Sequence, residues 1–153
     1  MENNQKKKKA ASLAEMIKAV RFDYVDKGIN EYNFPNDGRR GKVELIDFGE
    51  DGTVMKSTEI EAEMAKRFFR PATLRETLEW AKENWNGQDN VVAFGSGYLD
   101  NCPDDGGEWL YLVPYLSRNK YYKGGKNRQL YGLRIDFGWN FNCHFAVVRR
   151  KNS

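Results

Sequence analysis

Residues 133–147 alternate in a way that constrains the whole chain. Every odd position is apolar or a cysteine: Leu133, Ile135, Phe137, Trp139, Phe141, Cys143, Phe145 and Val147. The even positions as far as His144 are Arg134, Asp136, Gly138, Asn140, Asn142 and His144, all polar, charged or glycine. A period of two puts successive side chains on opposite faces of an extended strand, so one face belongs to a core and the other to water. The stretch is about two to three times as long as an average strand, and a break is expected at 138–140. Two readings of the outward set stand side by side. Such residues are the ordinary solvated positions of a one-sided sheet, or they are hydrogen-bonding groups held on a rigid support and suited to recognition.

The rest of the chain supplies enough material to cover that strand. At 153 residues with 40% apolar and 14% aromatic content, it suffices for a single domain with a core. No run approaches the roughly 18 apolar residues that a membrane span needs. No apolar segment follows the N-terminal lysines, so no signal peptide is visible; a cytoplasmic protein, or one exported by another route, is the expectation. The net charge of +3 hides an asymmetry: residues 109–153 hold nine Lys/Arg against Asp136 alone, whereas residues 1–108 hold sixteen against twenty-one acids. A basic C-terminal part favours nucleic acid; the alternative is an acidic helical part that neutralises a basic sheet within the fold. Cys102 and Cys143 permit one disulfide without requiring it, and Cys143 sits on the inward side, where a free buried thiol is the default. One histidine, with no CxxC spacing, leaves little for a metal.

In chain order, residues 1–11 read as a disordered basic tail and 12–153 as one domain. Leu13, Met16, Ile17 and Val20 fall at helical spacing behind Ser12, with Glu15 three residues later. Residues 42–48 alternate as a strand, 49–52 form a turn, and 53–56 run back as a hairpin partner. A helix over 58–69 carries Ile60, Met64 and Phe68 on one face and ends at Arg70-Pro71. Thr73 and Glu76 form a capping box for a second helix bearing Leu74, Leu78, Ala81 and Trp85. Residues 91–94 are a short buried strand, 95–97 a tight turn and 100–108 an acidic loop. A strand over 110–116 is interrupted by Pro114, which places it near a sheet edge. Residues 117–129 form a basic loop containing Tyr121 and Tyr122. Helices between a first hairpin and later strands define an α+β domain.

The catalytic motifs fail on context. Asp136-Phe137-Gly138 lacks the lysine strand, His-Arg-Asp loop and glycine-rich loop of a kinase. Gly95-Ser96-Gly97 lacks the flanks of a nucleophile elbow or a phosphate loop. Asp100, Asp104, Asp105 and Glu108 miss the EF-hand spacing and read as a solvated acidic loop. With one histidine no triad can be assembled, so no enzyme activity, metal or cofactor is expected. Tyr121 and Tyr122 among Lys120, Lys123, Lys126 and Arg128 suit base stacking and phosphate contacts, and equally a tyrosine-rich protein-binding loop.

Several segments carry a resemblance to a known family. Residues 70–81 (RPATLRETLEWA) resemble the Arg-x-x-Thr-x-x-Glu helix segment of C-type-lectin-fold domains of the formylglycine-generating-enzyme type. Residues 91–97 resemble the Gly-Gly-Ser-Trp strand of that fold, with Tyr98 where tryptophan is usual. Residues 144–149 resemble its closing Gly-Phe-Arg-x-x-Arg strand, with His144 and Phe145 as departures. Together the series RPATL, VVAFGS, VPYL and FAVVRR, over about residues 70–150, resembles the variable proteins of diversity-generating retroelements. The resemblance implies a C-type-lectin-like α+β fold, with two helices packed on a small, mostly antiparallel sheet with long loops. It implies a ligand-binding protein whose residues at about 110–145 are diversified by adenine-directed mutagenesis. Asparagine codons are adenine-rich, which marks Asn119, Asn127, Asn140 and Asn142. The recognition face is expected to comprise these with Tyr115, Arg118, Tyr121, Tyr122, Arg134, Asp136 and His144, plus Trp139 partly exposed where the strand breaks. The expected partner is a protein or other macromolecule of unknown identity, with nucleic acid as the alternative.

Overall fold

The computed structural model describes residues 11–48, 54–102, 106–118, 127–135, 139 and 143–150, with residue 102 described in its backbone alone. The expected tail, apart from residue 11, and the expected turn at 49–52 lie outside them.

Among the described residues three helices form where side chains close their first turns. Helix α1 (Leu13–Val20) opens on Ser12, whose hydroxyl accepts the Glu15 N–H while Glu15 accepts the Ser12 N–H, and α3 (Leu74–Asn84) opens on the same reciprocal box between Thr73 and Glu76. Helix α2 (Ser57–Lys66) starts with the Lys56 N–H donated to Glu59 Oε1 at 3.0 Å. It ends before the expected Phe69, because Phe69–Pro71 leave it as strand β3, for which β1 (Tyr24–Val25) and β2 (Val43–Ile46) are the predecessors. Then follow β4 (Asn90–Val92), β5 (Tyr98–Cys102), β6 (Glu108–Arg118), β7 (Arg128–Arg134) and β8 (Cys143–Arg149).

The strands make one open eight-stranded sheet in the order β1-β7-β6-β4-β8-β2, with β3 added along β8 and β5 along β6. Among the described residues only the β1–β7 and β4–β8 pairs are parallel. The architecture is thus α+β as expected, with three helices and an eight-stranded sheet in place of two helices and a small one. The organising stretch is not one strand. It supplies the end of β7 and most of β8, and Trp139 between them makes an isolated bridge to Met55. This bridge also overturns the expected hairpin return of 53–56: the Met55 and Trp139 backbones exchange hydrogen bonds of 2.8 and 2.9 Å. Burying Trp139 beside Phe94 and Phe145 prevails over a purely local pairing.

Both faces of β8 are covered over 145–148, so Ala146 and Val148 do not face water, whereas His144 is partly exposed. Ala146 and Val148 join Val91, Leu112, Leu116 and Leu130 beneath α1 and α3, whereas Phe145 and Val147 join Val92, Val113 and Tyr115 in a second core that takes Ile60 and Met64 from α2. A strand buried on both faces reads as a near-continuous apolar run, and Phe145-Ala146-Val147-Val148 is one.

Pro114 sits inside the sheet, not near its edge. Proline lacks an N–H, and a strand residue directs its N–H and C=O to the same side. The Pro114 carbonyl accepts from Ala93 N–H at 3.0 Å. That side of β6 passes from β5, which ends at Tyr98↔Leu112, to β4, which begins at Val92↔Tyr115. The missing donor falls at the seam between the two partners. The expected acidic loop is likewise shorter, since residues 100–102 and 108 belong to the β5–β6 ladder.

A buried carboxylate ties the sheet to the helices. The Glu76 side chain is 0% exposed and meets Arg70 Nη2 at 2.6 Å. It also accepts from the Thr73 N–H at 3.0 Å, from Arg70 Nη1 at 2.8 Å and from the Gly41 N–H. Burial pushes its pKa up, but the Arg70 and backbone hydrogen bonds together with the Arg70 charge outweigh it and hold the carboxyl at about 2, below the ordinary 4.5. Beside it Gly95 donates to Ala72 O at 2.8 Å, Ala72 donates to Ala146 O at 2.9 Å, and Ser96 Oγ accepts the Leu74 N–H at 2.8 Å. A Cβ at Gly95 would lie 2.5 Å from the Ala72 carbonyl atoms, so only glycine permits this backbone approach.

Two outcomes are expected. A folded pKa below the unfolded one makes the Glu76 contribution complete above about pH 4.5 and lost as the pH falls toward 2, a swing of roughly 3 kcal/mol. Urea unfolding of the parent from pH 7 to pH 3 should show this decline, and Glu76→Gln should be less stable at pH 7 with a flatter acid limb; an unchanged limb would remove Glu76 as its source. Gly95→Ala should lower stability by about 2–4 kcal/mol in the same assay, and a parental midpoint would contradict the close approach.

Candidate recognition face

The structure separates the expected site residues into three groups. Asn119, Tyr121, Tyr122, Asp136, Asn140 and Asn142 lie outside the described residues. Arg118, Arg134 and His144 reach the surface wholly or partly. Tyr115, Asn127 and Trp139 are buried, at 7%, 6% and 4% exposure, and are corrected from display to structural positions.

Each correction has a packing cause. The Tyr115 ring lies edge-on to Tyr131 at 5.0 Å and belongs to the second core, because β6 turns its odd residues toward that side. Trp139 packs against Phe94 at 5.2 Å, and its Nε1–H donates to Ser57 Oγ at 2.7 Å, while Ser57 donates in turn to Ile135 O. The first residue of α2 thus holds the segment between β7 and β8. Asn127 directly precedes β7, whose first residue, Arg128, is drawn inward: its guanidinium stands 4.6 Å above the Trp85 ring and donates to Val20 O at 2.8 Å.

The surface members do not form one cluster. Arg118 and Arg134 lie at opposite ends of the β6–β7 ladder, since Arg118 pairs with Arg128 and Arg134 with Leu112; seven strand residues separate these ends by roughly 20 Å. His144 shares the Arg118 end. It sits beside Val91, Val91 sits beside Leu116, and Arg118 is one pleat beyond. His144 Nδ1 meets the Asp47 carboxylate, which orients the ring across the start of β8.

Beneath this end lies a hydroxyl-rich cluster that sequence reasoning did not assemble. Ser117 Oγ contacts Asn90 Oδ1 at 3.2 Å, and Tyr115, Tyr131 and Cys143 surround it on the same face. Burial pushes the Tyr115, Tyr131 and Cys143 pKa values up, so all three are neutral near pH 7. Cys143 is a free, buried thiol. The cluster offers donors and acceptors but no activated nucleophile.

Sequence reasoning also missed the exposed apolar residues of β5 and β6. Leu99, Trp109 and Tyr111 are 60%, 67% and 43% exposed. Period two places the odd positions 109 to 117 on one side of β6, but only the tertiary packing covers Val113, Tyr115 and Ser117 and leaves Trp109 and Tyr111 open. Among the described residues no three His, Cys, Asp or Glu side chains converge as a metal site, and no helix is long and apolar enough to cross a bilayer. Of the basic half, Arg128 is engaged internally, whereas Arg149 stacks 4.8 Å over Phe69 and reaches Glu44 at 3.4 Å with its side chain still exposed.

No family model, curated protein or solved structure matches the chain.

Trp139→Ala should lower stability by about 3–5 kcal/mol, in the range for a buried aromatic, whereas Arg118→Ala should change it by less than about 0.5 kcal/mol. Thermal and urea unfolding of both variants checks the division. Equal effects would mean that Trp139 is a surface group after all.

Proposed function

We propose that this chain is a recognition protein, not an enzyme: a C-type-lectin-like scaffold that presents diversified residues, within about 110–145, to a macromolecular ligand. The observation that supports it is a division between framework and display. The segments that carry the family resemblance are wired to one another, Arg70 to Glu76, Leu74 to Ser96, Gly95 to Ala72, and Ala72 to Ala146. Arg118 and His144, by contrast, stand at the sheet end where the chain leaves β6 and enters β8. Polar side chains held on a rigid strand set give contacts at small entropic cost. A protein ligand is favoured over nucleic acid because Arg128 is engaged within the fold and leaves one cation fewer for phosphates.

The decisive test is genetic. The DNA flanking the gene should contain a near-copy of the codons for about residues 110–145, differing chiefly at adenines, beside a reverse transcriptase gene. Absence of such a copy removes diversification. A fluorescent random-sequence DNA duplex, titrated at 50 and 200 mM salt, should bind weakly; affinity falling about a thousandfold across that range would transfer the function to nucleic acid.

A further inference from the structure

We infer that the cleft between residues 36–41, α1 and α3 is a binding site for a small organic phosphate, a monoester whose phosphate is held by Arg39, Arg40 and Arg75. The cleft shares no residue with the recognition face above and does not depend on diversification.

Three segments build the cleft and fix one another. Arg75 lies in the first turn of α3, and its Nη2 donates to Glu31 Oε2 at 2.6 Å and to the Phe34 carbonyl at 2.9 Å. The other Glu31 oxygen accepts the Leu13 N–H at 2.6 Å, which ties the start of α1 to the same arginine. The chain then turns at Asn36, whose Oδ1 accepts the Gly38 N–H at 2.9 Å, while Asp37 Oδ1 accepts the Arg39 N–H at 3.0 Å. Gly41 ends this turn by donating to the buried Glu76 carboxylate, and a Cβ there would collide with the Val148 and Glu76 side chains. The segments enclose a cavity of about 480 Å³, within the range of small-molecule sites. Because its walls are already held by hydrogen bonds, little ordering entropy opposes binding.

Charge identifies the ligand. The lining carries Arg39, Arg40, Arg75 and Lys82 against Glu76 and Glu79. Both carboxylates already hold a cation, Glu76 meeting Arg70 at 2.6 Å and Glu79 meeting Lys82 at 2.7 Å. Asp37 and Arg39 stand 3.8 Å apart with both side chains about half exposed, so water screens that contact. Among the described residues the Arg40 side chain has no ion pair or hydrogen bond. Arg75 is 9% exposed, and its Nε–H is buried without an acceptor. A buried donor in that state is destabilising, and an oxyanion seated against Arg75 satisfies it. The buried Arg75 thus belongs to the base of the cleft and the exposed Arg39 and Arg40 to its mouth. Four cations against two carboxylates suit a phosphate dianion better than a single carboxylate, and the guanidinium fork matches phosphate oxygens. Ala11 and Met16 add apolar lining, and the cavity is far larger than a bare phosphate, so the ligand carries an organic group.

Calorimetric titration of the full chain with phenyl phosphate, glycerol phosphate and adenosine monophosphate, beside inorganic phosphate and benzoate, tests the inference. At least one monoester should bind about tenfold more tightly than either inorganic phosphate or benzoate. Arg39→Ala/Arg40→Ala and Arg40→Glu should each weaken that monoester at least about tenfold. Lys66→Ala, on the helix that covers the other core, should leave its affinity unchanged. All these substitutions are of exposed side chains, so thermal unfolding without ligand should match the parent. The Arg75 Nε–H resonance of nitrogen-labelled protein should shift as the monoester is added. Failure of every monoester to bind, benzoate or inorganic phosphate binding as tightly, an equal loss on Lys66→Ala, or an unmoved Arg75 resonance would each overturn the inference.

Discussion

The buried Glu76 carboxylate is the interaction on which the rest of the structure depends. A charge with no solvent contact must be compensated on every side, and its partners come from three separate places in the chain. Thr73 belongs to the helix cap, Arg70 to the strand along β8, and Gly41 to the approach to β2. One residue therefore positions α3, β3 and the run into β2 together. Removing any partner would leave an ion in an apolar setting, so the three elements hold a common geometry.

Around that junction β8 acts as the central beam. It receives β2 on one side and both β3 and β4 on the other, and its residues alternate between two cores. The first core is closed by α1 and α3. The second is closed by α2 and Trp139, whose indole is fixed through Ser57. This second cover is incomplete, reaching 113–117 of β6 but not Trp109 and Tyr111. The uneven cover leaves two separate kinds of surface: polar strand ends at Arg118 and His144, and the exposed aromatic side chains of Trp109 and Tyr111.

Much of this was legible in the residues. The capping boxes at Ser12 and Thr73 announce α1 and α3 because the same side chains satisfy the same orphan N–H groups wherever they occur. The inward odd positions Cys143, Phe145 and Val147 were also readable, as was the short buried strand at Val91 and Val92. The site was less so. Tyr115 and Trp139 were expected at a surface because tyrosine and tryptophan are chemically at home both in a core and on a binding face. No local pattern distinguishes the two. Asn127 is buried too, next in sequence to Arg128, which docks on the sequence-distant Trp85.

The sequence alone thus determined the starts of α1 and α3 and the inward odd positions of β8, because these arise from contacts within a few residues. Tertiary structure alone decided which apolar face was covered. Whether Met55 met β2 or Trp139, whether Pro114 lay at an edge or at an internal seam, and whether Trp109 was buried were all settled by segments distant in the chain. Burial is a property of what packs across from a residue, and period two states only that two faces exist, not which of them another element will reach.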